Sequence, residues 1–374
     1  MKRVIGSAIL LILFDTVYLI LSPVSYGAVS AEAMFRANLE RTGVYKTQGI
    51  QRLHGVKWKF KTERVIEAWF SSPTVSGDTI YFGSDDGYLY ALNALTGELK
   101  WKFKTGDVVY SSPAVADGAV YVGSHDGYLY SIDAQTGKQR WSFKTGYRVY
   151  SSPAVSDGVV YFGSADTYFY AVDAATGKLL WRFKANSWIL SSAAISEGTI
   201  YFGCWDAYLY AVDMATGREK WRFKTGYRIL SSPAVVEGTV YFGSMDGIFY
   251  AVDTKSGLER WRFKTNERLR SSPAIQNQTV YFGGDDGKFY ALDAETGQET
   301  WRVKTRGPII SSASITYGIA YFGCADGHLY AVNVETGKRR WKFNAPFGWM
   351  RSSPAVASGM IYFGSDDGNL YALH

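Results

Sequence analysis

Residues 231–265 read SSPAVVEGTVYFGSMDGIFYAVDTKSGLERWRFKT, and near-copies of this phrase fill most of the chain. Trp101, Trp141, Trp181, Trp221, Trp261, Trp301 and Trp341 recur every 40 residues, and Trp58 precedes the first by 43. Self-similarity at such a period marks an array whose units bury their faces only against their neighbours. Inside the phrase, apolar and polar residues alternate at period two, the pattern of strands rather than helices. Four short strands fit each copy, exemplified by residues 111–115 (SSPAV), 240–243 (VYFG), 209–213 (LYAVD) and 261–264 (WRFK). Between them stand Asp117-Gly118, Asp126-Gly127 and Thr136-Gly137, residues that accept bent or left-handed backbone. Four antiparallel strands in about 40 residues make one propeller blade.

First strands begin at Ser71, Ser111, Ser151, Ser191, Ser231, Ser271, Ser311 and Ser352, which predicts an all-β, eight-bladed propeller. The eighth copy reaches only the end of its third strand, at Tyr371-Ala372-Leu373-His374, while residues 56–61 are a surplus fourth strand at the other end. Pairing the two closes the ring and leaves no open seam, so that residues 56–374 form the propeller.

Residues 1–28 begin with Lys2-Arg3, continue through an apolar run from Val4 to Leu21 and end in small residues. This is the pattern of an export signal, with cleavage between residues 27 and 33. An uncleaved membrane anchor is the alternative, weakened by Asp15 in mid-run, and no cysteine follows to carry a lipid. Residues 29–55 carry no repeat and read as a leader that drapes over the ring or stays mobile.

Cys204 and Cys324 occupy one repeat position, where other copies carry serine or glycine, and lie three blades apart. Equivalent positions on non-adjacent blades point away from each other, so two buried thiols are expected rather than a disulfide. The net charge of +6 maps largely onto the fourth strand, where cations alternate with Trp and Phe, as in Lys102 and Lys104 or Arg182 and Lys184. Cations on an exposed outer strand discourage edge-to-edge aggregation; a basic belt on anionic lipid or polysaccharide is the rival reading. Export argues against a nucleic-acid partner.

The segment AxDxxTGxxxW, as in Ala171-Val172-Asp173-Ala174-Ala175-Thr176-Gly177 running on to Trp181, resembles the repeat of the pyrroloquinoline-quinone (PQQ) dehydrogenase-like propellers. The resemblance implies either of two functions: quinone-dependent oxidation of an alcohol or sugar, or a scaffold role of the BamB kind. The enzyme branch implies a quinone stacked between a tryptophan and a disulfide of adjacent cysteines, and calcium beside a catalytic aspartate. No adjacent cysteine pair is present here. The aspartates are periodic, with Asp86, Asp126, Asp166, Asp206, Asp246, Asp286, Asp326 and Asp367 at one turn. A residue repeated in every blade serves the blade, whereas one active site needs one base in one place. The four histidines lack metal-ligand spacing, no serine has histidine and acid partners at a fixed offset, and the Asp-Gly turns lack the oxygen-rich run of calcium loops.

Symmetry breaks in the connection from the fourth strand of one blade to the first of the next. Its third residue is apolar in every copy, and its second and fourth vary and should face a funnel at the channel mouth. That face carries Arg148, Arg228, Arg268, Arg270 and Arg351 with Tyr110, Tyr150, Trp188 and Trp349, residue types enriched in binding hot spots. The two longer connections flank blade eight and add Trp69, Phe70, Phe347 and Met350, an apolar patch edged by arginine. The reading is an exported, monomeric, non-catalytic scaffold of the cell envelope that binds a protein or another anionic ligand at this mouth, with no cofactor or metal. Peripheral membrane contact is compatible with it. The alternative is a dehydrogenase that needs PQQ and calcium.

Overall fold

The computed structural model describes residues 33–63, 71–345 and 348–374. Residues 1–28, the expected export signal, and the site candidates Trp69, Phe70 and Phe347 lie outside them. The described residues form no helix, hence none long and apolar enough to cross a membrane, and they fold as eight antiparallel four-stranded sheets.

Blade two shows the plan, with strands Ala114–Ala116, Ala119–Gly123, Tyr128–Asp133 and Gln139–Lys144 from the axis outward. Inner strands of neighbouring blades touch one another and line a central channel. The second strand is buried throughout because both its faces meet other blades, and the outer strand alternates exposed with half-buried residues. That alternation puts Trp141 and Phe143 toward the next blade and leaves the cations outside. Several of those cations lie over a tyrosine of the third strand, as Lys104 does over Tyr88 at 4.3 Å and Arg182 over Tyr168 at 4.5 Å.

Each blade is latched to the next by one carbonyl. Trp101 Nε1 and Tyr81 Oη, both of blade one, donate to Ala134 O in the turn before the outer strand of blade two, at 3.0 and 3.3 Å. Gly137 of that turn has φ of 70° and lies flat beneath the indole, where a Cβ would come within 2.7 Å of the ring. The Thr-Gly and Trp of the repeat are therefore one device shared between two blades, which explains their fixed spacing. A second device is a circle of eight bonds, 2.8 to 3.0 Å long, in which the second serine of each SS pair passes its N–H to the hydroxyl of its counterpart in the next blade. The circle closes through Ser353 N to Ser72 Oγ.

Blade eight joins the two ends of the chain as the repeat count requires. Val56–Lys61 pairs antiparallel with Asn369–Leu373, Lys59 opposite Tyr371 and Lys61 opposite Asn369. Because this blade draws its third and fourth strands from opposite ends of the chain, no turn links them to supply the latch carbonyl. The leader supplies it: Tyr321 Oη and Trp341 Nε1 of blade seven donate to Ile50 O at 2.9 and 3.2 Å.

Residues 33–50 neither drape over the ring nor hang free, the two expectations from sequence. They run inside the channel, their carbonyls accepting from the inner-strand N–H groups of Ile195, Val235, Ile275 and Ile315. Arg36 and Arg41 are buried there. Arg41 donates to the carbonyls of Ala193, Ser152, Pro153 and Phe35, and Arg36 to those of Ala313 and Pro273. Burial draws Arg36 down to about 10 and Arg41 to about 9, so both guanidiniums remain charged at neutral pH. Inner-strand entry carbonyls have no mates across a wide channel, and a planar fork of donors reaches several at once.

A chain starting at Thr62 lacks both the closing strand and the Ile50 latch. Its melting midpoint should fall by about 10 °C or more below that of a chain starting at Ala33, measured by circular dichroism; equal midpoints would contradict the closure described here.

Candidate functional site

The repeated polar residues are consumed by the fold. Asp126 accepts Tyr128 N (2.9 Å) and Tyr130 Oη (2.7 Å) within its blade and Gly106 N (2.7 Å) from the preceding connection. Asp166 and Asp246 do the same in blades three and five. Asp133 caps its own turn through Thr136 N and Oγ1. Cys204 and Cys324 are buried free thiols that bond the same carbonyl positions as the serines they replace, Sγ of Cys204 reaching Ser187 O and Trp188 O at 3.4 Å. Burial pushes Cys324 up to about 11 and Cys204 higher still, so neither is a reactive thiolate.

The connections between blades form one face of the ring, opposite the face where the leader leaves past Ser358 and Gly359. Their third residues, Val109, Val149, Ile189, Ile229, Leu269 and Ile309, are fully buried between blades. The second and fourth residues are more exposed, as alternation demands. In blades two to eight each second residue is held through its carbonyl by the N–H of the variable residue in the turn between strands two and three, as His125 to Val108, Trp205 to Trp188, Asp285 to Arg268 and Asp366 to Trp349. Two variable positions per blade thus meet at the funnel wall.

The meeting produces a continuous arc of rings and guanidiniums. His125 stands between Tyr110 and Tyr150, with ring centroids 4.6 and 4.1 Å away, and Arg148 donates to Tyr150 Oη at 3.3 Å while lying 5.4 Å from the Tyr147 ring. Tyr147 leads at 6.1 Å to Trp188, which stacks on Trp205 at 4.8 Å; Arg228 lies over Trp205 at 4.2 Å and over Tyr227 at 5.3 Å. Further round the funnel the charge differs. Arg270 grips Asp285 with two bonds of 2.8 and 3.0 Å, and Arg351 faces Asp366 at 3.5 Å while covering Trp349 at 4.5 Å. Among the described residues Arg148, Arg228 and Arg268 make no ion pair, although Asp107 acts on Arg148 through space. His125 Nε2 and Trp205 Nε1 are buried without a hydrogen-bond partner among the described residues.

The structure thus gathers Arg148, Trp188 and Arg228 into one arc, places Arg268 and Arg270 together on the connection into the adjoining blade, and sets Trp349 and Arg351 further round the funnel. Sequence reasoning missed His125, Trp205, Asp285 and Asp366. The signal was present, since the residue before the repeated turn aspartate changes from blade to blade as strongly as the connections do.

No group of three or more His, Cys, Asp or Glu converges to hold a metal among the described residues, and Asp285 and Asp366 already face arginines.

Eight four-stranded blades with this latch define a PQQ-like β-propeller. Residues 156–374, more than half of the chain, match the family model described as the β-propeller of the beta-alanine-activating enzyme, and the chain belongs to that family. Residues 52–148 match the model described as outer membrane protein assembly factor BamB. No curated protein matches the chain in sequence. Among solved structures it is similar to BamB from Moraxella catarrhalis (18% identity, TM-score 0.72, covering 86% of this chain and 99% of that one). It is also similar to a europium-containing methanol dehydrogenase (16%, TM-score 0.77, 91% and 97%) and to the computationally designed Ika8 protein (19%, TM-score 0.75, 84% and 98%). At these identities the likeness is one of fold, and the same fold serves an assembly factor, an enzyme and a design.

Burial, with Arg148 adding to it, holds the His125 imidazole down to about 4, against 6.5 when unfolded. Between those values the unfolded chain binds the extra proton, so the His125 contribution to stability is lost as pH falls from 6.5 toward 4. Melting midpoints of wild type and His125→Gln across that window should show the wild type losing more on acidification; parallel curves would refute the shift.

Proposed function

We propose that the chain is a non-catalytic binding scaffold, exported to the cell envelope, whose funnel arc engages a protein partner through its carboxylates. The observation that carries this is the charge asymmetry of the funnel. Arg270 and Arg351 are neutralised by Asp285 and Asp366, whereas Arg148 and Arg228 lie on an aromatic ladder and make no ion pair among the described residues. An arginine oriented by a ring keeps its fork of donors ordered, which lowers the entropy lost when a carboxylate arrives. A rigid ring holds these groups on a fixed frame. Trp349, 48% exposed beside Arg351, offers a second apolar contact. Neither PQQ nor calcium enters this reading, and the ring works as a monomer. Export is supported by the basic and apolar character of residues 2–21.

The test is capture of envelope proteins by immobilised protein. Arg148→Glu with Arg228→Glu should weaken the captured partner about tenfold or more, at least 1.4 kcal/mol. Lys104→Glu with Lys184→Glu, on the outer strands, should leave capture within about twofold. Loss in the second variant and retention in the first would place the contact on the basic rim and overturn the proposal, as would dye reduction with PQQ, calcium and an alcohol or sugar.

A further inference from the structure

The eight inner strands present a backbone edge to the channel, and the middle residue of each carries the groups that face it. Val115 of blade two exchanges both of its groups with Ala33, at 2.9 and 2.6 Å. Leader carbonyls take the corresponding N–H of Ile195, Val235, Ile275 and Ile315 in blades four to seven. In blade three, Arg41 covers the carbonyls of Ser152 and Pro153. Two blades remain. Val75 of blade one pairs with Ile80, and Val356 of blade eight with Ile361, as Val115 pairs with Val120. Their outward edges have no partner among the described residues.

These two strands are neighbours in the ring and line one cavity of about 470 Å³, bounded on its other side by the leader at Ala33, Met34 and Val44. Its wall is built mainly of small and apolar residues, and among the described residues Lys46 is the one charged group in it. We infer that this slot receives a single extended segment of a partner protein by strand addition, carrying small apolar side chains. The leader already makes this bond on both flanks, at Val115 and at Ile315, so the slot continues an edge-pairing interface the chain itself uses. Main-chain bonds to Val75 and Val356 would supply the attraction, and the narrow alanine and valine wall would select the side chains. The slot lies away from the funnel, and the inference does not rest on the function proposed for that face.

The test uses the full chain and a soluble peptide, Ser-Ala-Val-Ala-Val-Ala-Ser, with amide hydrogen exchange at Val75 and Val356 followed by NMR. Saturating peptide should slow exchange at both amides about tenfold or more. A matched peptide with proline in place of valine, which has fewer N–H groups and resists strand geometry, should not. Val75→Pro removes an N–H that lies outside the blade's own ladder and should weaken binding about tenfold with the fold retained. Ser76→Trp, which fills the slot, should do the same and serves if the proline variant fails to fold. Three results would overturn the inference: amides already protected without peptide, meaning that the chain's own residues before Ala33 fill the slot; equal protection by the proline peptide; or unchanged affinity in the folded variants.

Discussion

One carbonyl per blade, receiving a tryptophan N–H and in most blades a tyrosine hydroxyl from the blade before it, is the interaction on which this ring depends. Each such bond contributes only about 1 kcal/mol net. Its consequence is topological: no blade satisfies its own outer strand, and the last must therefore meet the first. Trp58 donating to Ala94 O at 3.0 Å closes that circle from residues far upstream of blade one's own outer strand. The serine circle adds a second closed loop of bonds nearer the axis, where Ser353 reaches Ser72.

The shared last blade lacks a turn carbonyl and the eight-bladed ring has a wide channel, and the leader meets both needs. Ile50 stands in for the missing turn carbonyl. The channel, too wide for inner strands to pair across it, is filled by a segment whose backbone and two arginines meet carbonyls and N–H groups of most blades. A buried guanidinium without a carboxylate is stable here because Arg41 is surrounded by main-chain oxygens, each a partial negative charge held in place by its own strand. Positive φ at Arg36, Ala37 and Arg41 shows how sharply the backbone bends to aim them.

Periodicity separates what builds the ring from what the ring presents. Aspartates, serines and glycines at repeated positions are spent on turns and latches, and the two cysteines substitute for serine within the same bonds. Differences between blades collect on one face, at two positions per blade that meet through a backbone hydrogen bond. There the rings of Tyr110, His125, Tyr150, Tyr147, Trp188 and Trp205 run together, interleaved with Arg148 and Arg228, while Arg270 and Arg351, further round the mouth, are neutralised by Asp285 and Asp366. A uniform ring thereby carries a polarised mouth.

Blade number, strand order, the closure of blade eight and the burial of the third connection residue were all legible in the chain, because a 40-residue period repeats each local choice and averages away its ambiguity. The symmetry-breaking arginines and Trp188 were legible for the same reason, as departures from a known pattern. What the tertiary structure alone decided lies in the unrepeated parts. Nothing in residues 33–50 announces a channel, since Arg36 and Arg41 read as ordinary surface cations until eight inner strands surround them with carbonyls. The pairing of Arg270 with Asp285, against the unneutralised Arg148 and Arg228, likewise depends on which turn folds against which connection. Local pattern specifies a blade, but only the closed ring determines which charges meet.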